Sequence, residues 1–296
     1  MTSLSSLVSP ATSGPAAARY RSVMDDAVVR QHLRNLLQAW DDAPESASLG
    51  QREHMLVGLC VFGFTAHTYR LVAALLALEE CGMLGVGTPL VRQAMECAIT
   101  ALWIERGGHA EVLTLIREQT RQQRNAVDEL IRAGASDDAT IRDRLDDDLA
   151  GQLASATGAG EKFFERCKEL QGAEQFYALY RAASRTSHAS TDVVDLYMDA
   201  SDNVRAADGH LALSLVPRAN TADGWLGALL PLVVVATAAW SRVERSHAAR
   251  TATKALASEL HIAWRPEYSA YGLGQRRKRE RELKAWLRTQ RAAGTL

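Results

Sequence analysis

The chain has little cysteine, little proline and no excess of charge of either sign. Its four cysteines are spread over 296 residues, and none of them forms a C-x-x-C pair. This usage is typical of reduced thiols rather than of a disulfide scaffold or a zinc ribbon. The 34 basic and 35 acidic residues leave a formal net charge of −1. The overall charge therefore predicts neither a nucleic-acid partner nor a membrane partner. Only a local cluster of charge could indicate such a partner.

Several motifs that mark common enzyme classes are also missing. The sequence contains no G-x-x-x-x-G-K-[ST] phosphate loop, no H-E-x-x-H zinc motif and no G-x-S-x-G nucleophile elbow. Residues 82–87 are rich in glycine but follow no predicted strand, so we interpret them as a turn between helices. The aspartates of 137–148 lack the spacing of a calcium loop. The sequence therefore predicts no cofactor and no metal site.

No segment reads as a secretory signal or a membrane span. Residues 1–18 are rich in serine, alanine and proline and carry no charge, and we expect a disordered lead-in there. The longest uncharged apolar stretch, 225–240, is shorter at ~1.5 Å per residue than the ~30 Å hydrocarbon core of a bilayer. A buried helix explains it better, and together with the reduced cysteines this predicts a cytoplasmic protein without a membrane partner.

What the chain does have is apolar residues at helical spacing along most of its length. The pattern predicts an all-α, multi-helix bundle, and only 211–216 alternates as a strand would. We expect one bundle domain over 19–262, followed by a basic C-terminal tail or helix over 263–296. The predicted helices cover 20–40, 51–78, 88–106, 109–133, an acidic helix or connector at 136–148, 161–170, 177–188, 225–260 and 275–291.

One charged pair lies inside an otherwise apolar predicted helix. Arg92 and Glu96 are four residues apart, so they share a helix face and can form an ion pair. A buried charge needs a partner, because an isolated ion in an apolar core is unfavourable. Two interpretations remain open, an ion pair between packed helices and a polar pocket within the bundle.

A second polar stripe follows in the helix predicted over 177–188. Tyr177, Tyr180 or Arg181, Ser184 and His188 are spaced so that they lie on one face. A polar face of this kind needs a partner, and the face of Arg92 and Glu96 is the obvious candidate. A carboxylate beside an imidazole orients the ring for general acid or base chemistry, although a purely structural histidine is the more common case.

The Leu-Val-Arg-x-x-x-Glu segment ending at Glu96 and the stretch from Tyr180 to His188 resemble an uncharacterised family of bacterial all-helical proteins. The resemblance covers roughly residues 50–220, and the family is similar in outline to the HEPN helical bundles. It implies a metal-independent RNase, usually a homodimer, in which an arginine and a histidine separated by four to six residues act on RNA. Arg181 and His188 would then be catalytic, with Arg92, Glu96, Tyr177, Tyr180 and Ser184 forming a supporting polar pocket.

Three arginine–histidine pairs in the chain have the required separation: Arg181 with His188, Arg205 with His210, and Arg242 with His247. The second pair lies in a predicted loop and is the least suitable. The residue after the arginine is alanine or valine in the other two, whereas the family pattern usually has a polar residue there. The spacing alone therefore does not select a catalytic pair.

The third feature is a strongly basic segment near the C-terminus. Residues 275–291 hold eight positive and two negative side chains, with Leu283, Trp286 and Leu287 as a narrow apolar stripe. Such a helix can bind RNA phosphates, dock on the bundle or an acidic segment, or lie on a membrane surface. The nucleic-acid interpretation assigns phosphate contacts to Arg276, Arg277, Lys278, Arg279, Arg281, Lys284 and Arg288.

The sequence thus leaves two hypotheses about function. The first is a metal-independent endoribonuclease acting in stress or phage defence. The second is a non-catalytic bundle with a structural polar core that binds a small ligand or a protein partner. A His188 that is accessible in a cleft within reach of Arg181 would favour the first hypothesis, and a His188 that is buried and hydrogen bonded to Glu96 would favour the second.

Overall fold

The structure is a computed structural model, and it describes residues 25–43, 55–135, 139–152, 159–160, 162–195, 197, 225–244, 249–264 and 266–294. The predicted lead-in at 1–18 and the strand-like segment 211–216 lie outside these ranges. Within them the secondary structure is helical, and the sole β-type contact is an isolated bridge between Leu170 and Tyr268. The prediction of an all-α protein is confirmed for the described part of the chain.

Eleven α-helices are present in the described ranges. They are α1 (Asp26–Asp41), α2 (Met55–Glu80), α3 (Thr88–Gly107), α4 (His109–Arg132), α5 (Ala139–Gly151), α6 (Phe163–Glu169), α7 (Glu174–Ser184), α8 (Thr191–Asp195), α9 (Trp225–Val243), α10 (Ala249–Glu259) and α11 (Ala270–Ala292). The glycine-rich turn before α3 contains a short 3₁₀ helix, Leu84–Gly87.

Local sequence explains where several helices begin and end. The Asp25 side chain caps α1 by accepting a hydrogen bond from the backbone amide of Ala27 at 3.0 Å. Pro89 occupies the first turn of α3, where its missing amide hydrogen is not needed. Gly108 follows α3 with a φ of 82°, a conformation that other residues rarely adopt, and this lets the chain turn directly into α4.

The core is built around α3, which packs against both α2 and α9. The side chains of Met95, Leu102 and Trp103 on α3 are fully buried. Buried polar groups need hydrogen-bond partners, and in this core the Tyr69 and Thr237 hydroxyls are 2.7 Å apart, which ties α2 to α9.

Two helices in the described ranges, α2 and α9, have the length and apolar composition of a membrane span. Within the bundle, 83% of the most apolar window of α9 is buried, against 44% for α2. The buried fraction of α9 agrees with its position beside α3 in the core.

Two predicted helix boundaries are wrong. The helix predicted over 177–188 ends at Ser184, so His188 lies in the following turn and not on the helix stripe. The helix predicted over 225–260 is two helices, α9 and α10, joined by residues outside the described ranges. Residues 20–24 of the first predicted helix lie outside the described ranges, and α1 begins at Asp26.

Candidate functional site

The packing of α7 against α3 brings the two predicted polar faces together. Arg92 and Glu96 lie on α3, Tyr180 lies on α7, and His188 lies in the turn that follows α7. These four residues are called the Arg92 cluster below. The sequence prediction that the two faces are partners is therefore reproduced at these positions.

Arg92 is the centre of the cluster. One terminal nitrogen of its guanidinium lies 2.9 Å from Nε2 of His188, and the other donates a hydrogen bond to the hydroxyl of Tyr180. The guanidinium carbon stacks 4.5 Å from the centre of the Tyr180 ring, a cation–π geometry. Nε of Arg92 forms an ion pair with Glu96 at 3.5 Å. The Arg92 side chain is 26% exposed and His188 is exposed, so the cluster is open to solvent.

These contacts define the hydrogen-bonding state of each group. A guanidinium can only donate, so Nε2 of His188 is the acceptor in this contact. Burial raises the pKa of the Tyr180 hydroxyl above its ordinary value, and a hydrogen bond with Glu96 raises it further. Tyr180 therefore remains a neutral hydroxyl at physiological pH.

The turn that carries His188 is tied down at several points. Arg185 forms a two-pronged ion pair with Asp192, with N···O distances of 2.8 and 2.9 Å. The hydroxyl of Thr186 donates to that of Thr88, in the first turn of α3, at 3.0 Å. The position of His188 next to Arg92 is thus set by contacts on both sides of it.

Three other predicted site residues lie differently from expectation. Arg181 is exposed on α7, and the arginine that contacts His188 is Arg92. Tyr177 belongs to an aromatic group, with its ring centre 4.6 Å from that of Phe164. The Ser184 hydroxyl donates to the backbone carbonyl of Tyr180 at 2.8 Å. Arg181, Tyr177 and Ser184 therefore border the Arg92 cluster without supplying its contacts.

No group of three or more His, Cys, Asp or Glu side chains in the described ranges is arranged to hold a metal ion. The described part of the acidic segment forms α5, and two of its carboxylates pair with arginines. Asp146 pairs with Arg124 of α4 at 3.1 Å, and Asp143 pairs with Arg142 at 3.3 Å.

The basic segment forms α11, which packs against α4 and α6. Arg279 is fully buried in this contact, so the prediction that Arg279 binds nucleic acid is wrong. Arg276 forms an ion pair with Glu280 at 2.9 Å, and Lys278 is half-buried. The other predicted phosphate-binding residues are exposed: Arg277, Arg281, Lys284 and Arg288.

Arg279 lies in a buried ionic cluster that sequence reasoning missed. Its guanidinium binds Glu169 through both terminal nitrogens, one of them at 2.8 Å, and Glu111 through Nε at 2.9 Å. The indole of Trp103 donates to Glu169 at 2.7 Å, and the Tyr268 hydroxyl lies 3.4 Å from Glu111. These five residues are called the Arg279 cluster below.

Burial sets the protonation of this cluster. It raises the pKa of Glu111 to about 7, although the charge and hydrogen bond of Arg279 act in the opposite direction. Oε2 of Glu111 is buried and has no hydrogen-bond partner among the described residues. Gly107 lies directly against this carboxyl group, since a β-carbon there would be 1.8 Å from Cδ of Glu111.

A helical stripe in the sequence could have revealed the buried arginine. Arg279, Leu283 and Trp286 follow one another at offsets of four and three, so they lie on one face of α11. The indole of Trp286 donates to the backbone carbonyl of Gly151 at 3.2 Å, which places this face against the bundle. Extending the Leu283 and Trp286 stripe by one turn leads to Arg279.

The fold and the site together define an all-helical bundle that carries an exposed arginine–tyrosine–histidine cluster. Residues 59–205 match a family described as "Family of unknown function (DUF5677)". This stretch is just under half of the chain and contains all four residues of the Arg92 cluster, whereas α11 lies outside it. The expectation that this region resembles a family of unknown function is confirmed. No curated protein and no solved structure matches the chain.

Proposed function

We propose that this protein is a metal-independent endoribonuclease whose active site is the Arg92 cluster. The observation that carries the proposal is the contact between the Arg92 guanidinium and Nε2 of an exposed histidine, His188. An arginine binds a phosphate strongly, and a neutral imidazole accepts a proton near neutral pH. The resemblance of the sequence to HEPN bundles implies the same pair of residue types, but the arginine that contacts His188 here is Arg92, 96 positions away along the chain, and not Arg181.

The proposed reaction uses these groups in a definite order. A phosphodiester of RNA binds the Arg92 guanidinium and replaces His188 as its hydrogen-bond acceptor, which frees Nε2. Nε2 of His188 then takes the proton of the 2′-hydroxyl, and the 2′-oxygen forms a bond to phosphorus. The bond from phosphorus to the 5′-oxygen breaks, and that oxygen takes a proton from solvent. The products are a 2′,3′-cyclic phosphate and a 5′-hydroxyl, and His188 returns its proton to water.

Arg92 is suited to stabilise the charge that develops on the phosphate. Its side chain is held from three sides, by the Tyr180 ring and hydroxyl, by Glu96 and by His188. A donor that is already oriented needs no reorganisation when charge develops on the phosphate oxygens. Tyr180 and Glu96 therefore act as positioning residues for Arg92.

The test is cleavage of end-labelled RNA by the purified protein in the presence of EDTA. We expect His188→Ala to lower the cleavage rate about 10²- to 10⁴-fold, the usual contribution of a general base. Arg92→Lys retains the positive charge but loses the forked geometry, and we expect a loss of similar size. Arg181→Ala is the matched control, because Arg181 is exposed on α7 beside the cluster, and it should cleave as the wild type does.

Two results would contradict this proposal. One is the absence of cleavage by a wild-type protein whose circular dichroism shows it to be folded. The other is that Arg181→Ala and His188→Ala lose activity equally while Arg92→Lys remains as active as the wild type. Arg181 would then be the catalytic arginine. In the first case the Arg92 cluster is better explained as a binding site for an anionic ligand, the alternative that the sequence left open.

A further inference from the structure

The outward face of α11 carries a regular line of positive charge. Exposed basic side chains occur along it at offsets of four, three, four and three residues: Arg277, Arg281, Lys284, Arg288 and Arg291. This spacing keeps them on one face of the helix. At ~1.5 Å per residue, the line is about 21 Å long. These five residues are called the basic stripe below.

The basic stripe is not used to hold α11 in place. None of its five members forms an ion pair with a carboxylate among the described residues, whereas Arg276 and Arg279 on other faces do. The described acidic residues of α5 that form ion pairs do so with arginines of α4 and α5. Five positive charges in a row without neutralising partners repel one another, so a bound polyanion would relieve this repulsion.

The shape of the stripe distinguishes between the partners that a basic helix can bind. A helix that inserts into a membrane surface needs large apolar side chains next to its charges. Between Arg277 and Arg291 the other exposed positions are Ala285 and Thr289. The apolar side chains Leu283, Trp286 and Leu287 are half-buried, and the indole of Trp286 donates to the bundle at Gly151. A line of evenly spaced charges instead matches a polymer that carries one phosphate per unit.

We propose that the basic stripe binds single-stranded RNA along its phosphate backbone. The choice of RNA as the polymer rests on the proposed function, while the binding itself does not depend on cleavage at the Arg92 cluster. Contacts to phosphates alone carry no base preference, so the stripe holds RNA irrespective of its sequence. Recognition of the cleavage position is then left to the Arg92 cluster.

Binding is measured with the full chain carrying His188→Ala, so that the RNA stays intact, and with a fluorescent 20-nucleotide oligouridylate as the probe. Fluorescence anisotropy at several KCl concentrations gives the salt dependence of the association constant. For five phosphate contacts on a single strand we expect a slope of log K against log[KCl] of about −3.5. Arg281→Gln, Lys284→Gln and Arg288→Gln in combination should reduce the slope by about 2 and weaken binding about tenfold or more at ~0.1 M salt.

The control is a second triple variant with the same loss of charge on other surfaces: Arg132→Gln, Arg144→Gln and Lys254→Gln. All three positions are exposed and lie on α4, α5 and α10, and we expect RNA binding as in the parent protein. Glutamine is as favourable in a helix as arginine or lysine, so circular dichroism should show both variants folded.

The proposal is overturned if the two triple variants bind RNA equally, or if the parent protein does not bind the oligouridylate. It is also overturned if oligoglutamate or phosphatidylserine vesicles bind the stripe more tightly than the RNA does, since the surface would then belong to an acidic protein or to a membrane. RNA binding without cleavage by the wild type contradicts the proposed function alone. If the wild type cleaves RNA, both triple variants cleave it at the same rate, and the basic stripe does not bind RNA, this inference alone is contradicted.

Discussion

At the scale of single residues, Glu111 and His188 show how the surroundings decide what a side chain does. Glu111 is fully buried beside Arg279, and its carboxyl group keeps one oxygen without a hydrogen bond among the described residues. His188 is exposed, and its Nε2 lies 2.9 Å from the guanidinium of Arg92. The first residue affects stability through its proton, and the second carries the catalytic role that we propose.

Glu111 makes stability depend on pH. In the native protein its pKa is about 7, against 4.5 for an unperturbed glutamate, so between these values the native state binds more protons than the unfolded state. The contribution of Glu111 is therefore complete below about pH 4.5 and is lost as the pH rises to about 7, a change of up to about 3 kcal/mol. Glu111→Gln mimics the protonated form, and its free energy of unfolding should lack this decrease.

The measurement is urea unfolding of wild type and Glu111→Gln at several pH values between about 4.5 and 8. The difference between the two proteins isolates Glu111 from the other titrating groups. Parallel curves for the two proteins across this range would show that Glu111 has an ordinary pKa and that Arg279 compensates its burial.

The sequence predicted part of the candidate site, and the reason lies in helical spacing. Arg92, Glu96 and Tyr180 lie within helices, so their spacing predicts which helix face each one occupies. The contact between the two faces was predicted because both are polar. His188 lies beyond the end of α7, where no periodicity applies, and the choice between Arg92 and Arg181 as its partner depends on how α3 and α7 cross. That crossing is a tertiary property, which a pattern along one helix does not contain.

At the scale of elements, α11 has one face fitted closely to the bundle and another open to solvent. Gly272 lies where a β-carbon would be 2.1 Å from the backbone oxygen of Glu169, so the start of α11 touches the end of α6 directly. Gly274, two residues on, has no atom within 4 Å of such a position. Both glycines lie in the same helix, and the packing around each one differs.

This pair of glycines provides a matched test of the docking of α11. Gly272→Ala places a methyl group against backbone that cannot move aside, and we expect a loss of about 1–3 kcal/mol in the free energy of unfolding. Gly274→Ala should instead stabilise the protein by about 0.5–1 kcal/mol, because alanine favours the helix and meets no obstacle. Urea unfolding followed by circular dichroism distinguishes the two signs, and stabilisation by both substitutions would mean that α11 does not touch α6.

The amino-acid composition of α11 did not reveal that its two faces differ. The many arginine and lysine residues in 275–291 predicted a single phosphate-binding face that included Arg279. The weaker apolar stripe of Leu283 and Trp286 gave the orientation of the helix correctly, and Arg279 belongs to that stripe. Charge density indicates that a helix is basic, whereas the apolar spacing indicates which of its cations face inward.

At the scale of the whole molecule, the Arg279 cluster joins three distant parts of the chain. Glu111 comes from α4, Glu169 is the last residue of α6, and Arg279 comes from α11. Removing one partner of a buried ion pair leaves an unpaired charge in an apolar interior, which is far more costly than losing an exposed pair. Through this cluster, α11 contributes to the free energy of unfolding of the bundle.

We expect Arg279→Met to reduce the free energy of unfolding by about 3–5 kcal/mol, since it leaves Glu169 buried without its cation and removes the hydrogen-bond donor of Glu111. Arg281→Met on the exposed face of the same helix should change it by less than about 0.5 kcal/mol. Denaturant unfolding of both variants at neutral pH makes the comparison. Equal midpoints for the two variants would show that the buried carboxylates find compensation elsewhere.

The architecture of the described part was largely readable from the sequence, since apolar spacing predicts helices and glycine or proline marks many of their ends. How the helices pack together was less predictable from the sequence. The buried ion network depends on residues more than a hundred positions apart, and no local pattern connects α4, α6 and α11.

The same network has a consequence for the time course of folding. Helical bundles fold fast when most of their contacts are local, because little chain entropy is lost before a contact is made. Here the cation that neutralises the interior is 110 residues from Glu169 and 168 residues from Glu111 along the chain. A partly folded bundle without α11 would enclose Glu169 without its cation and Glu111 without its hydrogen-bond donor, so such an intermediate is unstable. We therefore expect α11 to dock and the Arg279 cluster to form together in one late step of folding. The rate of this step is limited by the entropy cost of closing the long loop between α11 and its partners.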